Sequence, residues 1–324
     1  MKAASTLESG SGGLSLAFLR GAVEYRYFAI LTTVVTYGLI VLGGTVRSTD
    51  SGTACPDWPL CHGKVVPQFE YHVMIEYSHR LVASLVGFLI LGMMIWGWRR
   101  YPGQPLYRTG AALVIVLLAG QVLLGGATVK TETAATVVAA HLTMALTLFS
   151  TLILMAVAAF RLDSGGSLPQ FGGFFGQARG LLNLPMATLV GLFTLIIVGA
   201  YVSQMEAGLV YPDWPLFDGT IVSSGGRLAD IHYAHRLLAV IEGVLLVGLA
   251  WQVFAEDQRA VPLLALGTAV ALYVTQVLVG ASNIWFDLAT PVRILHLALA
   301  SAVWGALVIG VAYRHLSPLQ RVAV

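Results

Sequence analysis

The chain has 324 residues, of which 57% are hydrophobic and only 10% charged, with a formal net charge of +2. A soluble domain carries about a quarter charged residues, so this composition excludes a soluble globular protein and points to one threaded repeatedly through a membrane. The near-neutral balance carries no sign of nucleic-acid binding.

Residues 1–26 open the chain as an arm. Its first 20 residues are Gly/Ser-rich, contain Glu8 and lack the continuous apolar core of a signal peptide. Eight apolar stretches follow, at 27–46, 76–98, 108–127, 135–160, 183–203, 231–255, 261–282 and 291–313. Each is near the roughly 20 residues a helix needs to cross a bilayer. The expected fold is an all-α integral membrane protein with eight transmembrane helices. The Gly-rich segment 161–182 reads as a linker between the halves 27–160 and 183–313, and 314–324 as a short tail.

Lys2, Arg20, Arg26, Arg99, Arg100, Arg108, Arg161, Arg179, Arg259, Arg314 and Arg321 fall on one side of these spans. A smaller set, Arg47, Lys64, Arg80, Lys130, Arg227, Arg236 and Arg293, falls on the other. The positive-inside rule then puts both termini in the cytoplasm of a cell inner (plasma) membrane protein. The long loops, about 47–75 and 204–230, face outward.

The two halves repeat each other. PDWPL at 56–60 returns at 212–216, and EYSHRL at 76–81 returns as HYAHRL at 232–237. GQVLLGGA at 120–127 returns as TQVLVGAS at 275–282, and AHLTMAL at 140–146 as LHLALAS at 295–301. The offset is 155 or 156 residues each time. A fixed period of this kind means two copies of one structural unit. Four spans per half give both halves the same orientation, hence two parallel-repeated four-helix bundles.

Ionisable side chains inside spans mark function, and the repeat places four of them in matched pairs: His79 and His141, His235 and His296. A single interior histidine is ordinarily a satisfied core residue; four at one depth, two per half, point to two copies of a metal or haem site. Facing helices of a bundle hold planar cofactors in this way, and haem iron takes imidazole axially. No helix supplies further donors at the spacing of a closed zinc site.

Arg80 and Arg236 each follow a histidine. They are candidates for pairing with haem propionates, against the ordinary reading of an interfacial, snorkelling arginine. Glu76 lies three residues before His79, on the same helix face, and the repeat puts His232 there. A carboxylate beside a haem rim can accept a proton or stabilise positive charge; the plain alternative is a carboxylate favoured at a helix start. Gln121 and Gln276, each followed by small residues, read as packing and pocket-shaping positions. Glu242, where the first half has Val86, is either a neutral hydrogen-bonded group or part of a proton path. Trp58 and Trp214 suit interfacial lids. Cys55 and Cys61 share the first outward loop, with Tyr211 and Phe217 at their places in the second half. An oxidising compartment favours a disulfide; the alternative is a copper or redox site with His62.

Together GGTVRSTDSG (43–52), PDWPLCHG (56–63), EYSHRLVAS (76–84), GQVLLGGATV (120–129), AHLTMAL (140–146), HYAHRLLA (232–239), TQVLVGA (275–281) and ILHLALA (294–300) resemble the heme A synthase family. The resemblance covers nearly all of the chain after about residue 25. It implies oxidation of the C8 methyl of haem O to the formyl group of haem A for cytochrome oxidase, by two hydroxylations and loss of water from a gem-diol. Carried over by position, it implies that His79 and His141 flank the substrate haem with Glu76 as the essential carboxylate. It further implies that His235 and His296 hold a resident haem b that relays electrons, and that Cys55 and Cys61 are the family's outer-loop pair. Implied partners are a haem O synthase, cytochrome oxidase assembly and membrane lipid, with no nucleic acid; a homo-oligomer is left open. The competing reading is a diheme b-type electron-transfer or haem-carrier membrane protein, whose halves would be equivalent.

Overall fold

A computed structural model of the protein describes residues 24–168, 183–223 and 225–316. The expected arm, linker and tail therefore lie largely outside the described residues. Eight long helices carry the described chain: α1 Tyr25–Ser48, α2 Tyr71–Arg100, α3 Pro105–Lys130, α4 Ala135–Asp163, α5 Leu184–Gln204, α6 Arg227–Glu256, α7 Ala260–Trp285 and α8 Thr290–Leu316. All eight are long and apolar enough to cross a membrane.

Helices suit this sequence because a bilayer offers backbone groups no water, and a helix satisfies them internally. Side-chain hydroxyls within the helices do the same. Thr32, Thr33, Thr36, Thr143, Thr147 and Ser150 each donate to the carbonyl four residues back, at 2.7–2.9 Å. Helix starts are locally encoded. α3 and α5 carry proline in the first two positions, where its missing N–H costs nothing. Asn183 caps α5 by accepting from Met186 N at 3.0 Å.

Within residues 24–163, α1 packs on α2 and α4, and α3 on α2 and α4. Within 183–316, α5 packs on α6 and α8, and α7 on α6 and α8. α1, α4, α5 and α8 join the two sets, with α8 against both α1 and α4 and α4 against α5. One apolar core fills that junction, from Leu146 and Phe149 of α4 through Leu192 and Ile196 of α5 to Val303 and Leu307 of α8. The indole N–H of Trp304 crosses it to Ser150 Oγ at 2.8 Å. A second core lies inside the first set, where Tyr25, Tyr101 and Tyr107 stack edgewise or tilted around Met93 and Leu152.

The spans read from hydropathy are trimmed relative to these helices. The expected stretch 76–98 begins at Tyr71, and 231–255 begins at Arg227. Polar first turns, with His72 and Glu76 in α2 and Asp230 and His232 in α6, lower the hydropathy where the helix already runs. As a result His79 lies eight residues beyond Tyr71 and His235 eight beyond Arg227, more than two turns into the helix rather than at its start. α2, α4, α6 and α8 all begin at the end of the molecule that carries loops 49–70 and 205–226, so the four histidines share a depth near those loops.

Candidate functional site

The loop before α2 is built on its own acid. Asp57 accepts hydrogen bonds from His62 N (2.6 Å) and Gly63 N (2.8 Å), which closes a turn. In the second half Asp213 accepts from Asp218 N (2.8 Å) and Gly219 N (2.9 Å). Gly63 and Gly219 sit at φ +69° and +72°, where a side chain would be strained. Those amides, that of Gly63 or Gly219 foremost, hold each aspartate carboxyl below its ordinary range. Both loops also carry a cis Trp–Pro bond, at 58–59 and 214–215.

An arginine ties each turn to its helix. Arg80 Nη1 donates to the carbonyls of Asp57 (2.7 Å) and Leu60 (2.6 Å), and Arg236 Nη1 to those of Asp213 (3.1 Å) and Leu216 (2.7 Å). Trp58 then lies over α3, where a Cβ on Gly126 would stand 3.3 Å from its ring. Trp214 lies edge-on to Trp285 of α7, with centroids 6.0 Å apart. The sequence reading made both guanidiniums candidates for haem propionates; in the structure Nη1 of each clamps its loop. Nη2 of Arg236 remains buried without a partner, whereas Nη2 of Arg80 is taken up by Cys55 O (2.9 Å) and Glu76.

Below each clamp lies a histidine pair. His79 and His141 are within electrostatic range of each other, as are His235 and His296. Each imidazole lies against a glycine of a neighbouring helix. A Cβ on Gly43 of α1 would stand 3.2 Å from His79 Nε2, and one on Gly199 of α5 would stand 2.8 Å from His235 Cε1. On α3 and α7 the corresponding contacts are 3.4 Å from Gly125 to His141 Cε1 and 3.1 Å from Gly280 to His296 Cε1. The amides of Gln121 and Gln276, read as pocket-shaping, contact Nε2 of His141 and His296 at 3.2 and 3.3 Å. Nδ1 of His141, His235 and His296 is buried without a partner. Among the described residues no three of His, Cys, Asp and Glu form a metal-binding cluster, so each pair offers two donors.

The halves part company one turn above His79 and His235. Glu76, 4% exposed, accepts from Cys55 N at 2.8 Å through Oε2 and pairs through Oε1 with Arg80 Nη2 at 2.5 Å. This i,i+4 pair, acid first, is the favourable order on a helix. Cys55 and Cys61 are joined by a disulfide that packs on Val73. The imidazole of His62 is directed to Ala54 O at 2.9 Å, so the loop takes the disulfide and not the copper alternative. In the second half His232 Nε2 receives Arg236 Nε at 3.0 Å. The rings of Tyr211 and Phe217 meet edge-on at 5.1 Å where the disulfide would be, and the Arg236 guanidinium lies 5.7 and 5.0 Å from their centroids. One scaffold thus carries an acid, a guanidinium and a disulfide in one half, and an imidazole, a guanidinium and an aromatic pair in the other.

Glu76 is therefore no helix-start residue; its partner is Arg80. The spacing to Arg80 was visible in the sequence, since it lies four positions after Glu76. The loop carbonyls and the glycines facing the histidines were not, because backbone acceptors leave no mark on residue identity. With both sulfurs oxidised and nearly unexposed, a thiol reagent is expected to label neither Cys55 nor Cys61 until reductant is added. Equal labelling of the folded protein with and without reductant would refute the pairing.

Residues 26–308 match the COX15-CtaA family, described as cytochrome oxidase assembly protein. The chain is 29% identical over 293 residues to a protein of Symbiobacterium thermophilum, covering 87% of this chain and 92% of the relative. It is 27% identical over 290 residues to one of Lysinibacillus sphaericus, with the same coverage of both. It is also 27% identical over 292 residues to one of an Exiguobacterium species, covering 87% and 92%. Each of these relatives bears the name heme A synthase. A match running from the first helix into the last, on a fold of eight membrane-spanning helices, places this multi-pass membrane protein in the COX15-CtaA family.

Proposed function

We propose that the protein is a heme A synthase, oxidising the C8 methyl of haem O to the formyl group of haem A. The observation that carries this reading is the Glu76/His232 difference inside two otherwise matched frames. An electron carrier with equivalent halves gives no reason for it; an enzyme with one reacting and one relaying half does.

The residues present fit a haem in each half. Two donors per half suit the two axial positions of a porphyrin iron. Glycines opposite the imidazoles leave backbone, not side chain, at the pocket wall, which lets a flat ligand approach. The unpartnered Nδ1 atoms and the unpartnered Nη2 of Arg236 are polar groups that a buried site must satisfy. In the second half His235 and His296 would hold a haem b, with Arg236 Nη2 free to meet a propionate. When bound, that haem would supply a one-electron relay.

In the first half His79 and His141 bind the substrate haem. Taking hydride or electrons from its methyl group leaves positive character on the carbon. Glu76 stabilises that charge, and does so strongly because it is buried and already oriented. Arg80 and Cys55 N–H hold the carboxyl in place, so no reorganisation is needed at the reacting moment. The disulfide fixes Cys55 in turn. The Lys/Arg distribution supports cytoplasmic termini in a plasma membrane and loops that face outward. On this reading the protein takes haem O from a haem O synthase and serves cytochrome oxidase assembly.

The test is pigment analysis. Membranes of cells making this protein together with a haem O synthase should contain haem A on extraction and chromatography. Haem O and haem B alone would refute the activity.

A further inference from the structure

The second half contains an ionisable group that the reaction above does not use. Glu242 stands midway along α6, is 1% exposed, and neither carboxyl oxygen has a hydrogen-bond partner among the described residues. Its Oε2 lies where a Cβ on Gly191 would fall, so the carboxyl rests on the bare backbone of α5. His235 rests on α5 in the same manner at Gly199. The two residues are seven positions apart on α6 and their contacts eight apart on α5, about 10–12 Å at 1.5 Å per residue. Glu242 therefore lies on the histidine-bearing face of α6, two turns from His235 on the side away from the loops.

The surroundings are sparse. Tyr273, the only titratable residue of α7, donates its hydroxyl to Ala239 O at 2.5 Å, packs on Gly243 and is within electrostatic range of Glu242. α5 brings only Tyr201, which receives Arg227 at the loop end. On α6 itself Arg227, Asp230, His232, Tyr233, His235 and Arg236 all lie toward the loops, and Glu256 lies at the far end. None of these groups hydrogen-bonds to Glu242. The first half has Val86 and Leu118 at the positions of Glu242 and Tyr273, so the polar pair belongs to the second half alone. A buried carboxyl without donors answers chiefly to whatever charge lies near it, and the charge that changes near α6 is that of the redox centre.

We infer that Glu242 is a proton-exchanging carboxyl that balances charge at the second-half haem. It binds one proton from water when that haem gains one electron, and releases it when the electron leaves. The methyl group oxidised in the first half would supply the electron, and an external one-electron acceptor would take it from the second half. Protonation of the Glu242 carboxylate to a carboxylic acid would accompany uptake of one electron by that haem, so one negative and one positive charge would enter together. This rests on a haem held by His235 and His296.

The test uses the purified, haem-loaded protein, reduced and oxidised electrochemically and followed by infrared difference spectroscopy and redox titration. The low-spin haem signal is recorded first. Its absence from the wild type would remove the second-half haem, and this inference with it. With the signal present, reduction should produce a protonated-carboxyl band that shifts in D2O and is lost in Glu242→Gln. The midpoint potential should fall as pH rises in the wild type and lose most of that dependence in the variant. A wild type without such a band, or a glutamine variant that keeps the band and the pH dependence, would overturn the inference. Should the glutamine variant fail to hold haem, Glu242→Asp decides: a displaced band supports the assignment and an unmoved one overturns it.

Discussion

Replacing Glu76 with glutamine is expected to lower haem A formation by about 100- to 1,000-fold, the loss typical when one preorganised electrostatic group is removed. Haem should remain in both halves. Glutamine keeps the volume of the buried side chain and an oxygen able to accept from Cys55 N, so the loop stays attached. It removes the carboxylate that faces Arg80 and, on the proposed reading, the reacting methyl. Arg80 still has the carbonyls of Cys55, Asp57 and Leu60, which limits the damage to the fold. A loss confined to chemistry is the signature of an interaction made mainly in the transition state. Glu76→Ala should behave alike. His232→Ala should keep substantial activity, because Arg236 retains Asp213 O and Leu216 O and that half carries no reacting methyl. Chromatography of haems B, O and A from membranes measures all three. Near-normal haem A from Glu76→Gln would reduce Glu76 to an anchor for the loop.

The second large effect concerns ligation. His235→Ala and His296→Ala should each abolish the low-spin, bis-histidine optical and EPR signal and remove about half of the bound haem, since each deletes one of two axial ligands. Haem A formation should fall with it, as electrons lose their relay. Gly199→Ala offers a gentler form of the same experiment. Its new methyl would stand 2.8 Å from His235 Cε1, closer than the ring tolerates, so the signal should weaken or shift while the protein still folds. Wild-type spectra and haem content in both histidine variants would refute this pair as ligands.

Much of this architecture was legible in the chain because it is written twice. Repetition turned four isolated histidines into two pairs, and it isolated Glu76 and His232 as a difference rather than noise. The eight helices followed from hydropathy, but the starts of α2 and α6 did not, since the polar turns at 71–76 and 227–232 are helical without being apolar. Arg80 was legible as a charged neighbour of His79 on a different helix face, but its contacts were not. Its partners are Glu76 and the loop carbonyls. Replacement of the disulfide by the Tyr211–Phe217 contact could be located by the repeat, yet the aromatic packing beneath Arg236 depends on loop geometry that residue types do not specify.

Division of labour between the halves is tested most directly by haem inventory at each site. The protein would be purified from cells making haem O, both as wild type and as a His235→Ala/His296→Ala double variant, and its pigments counted per chain. The wild type should carry haem B together with haem O or haem A. The double variant should lose the haem B and keep the haem O, bound by His79 and His141. Loss of both pigments in equal measure, or retention of haem B alone, would contradict a substrate site in the first half and a relay site in the second.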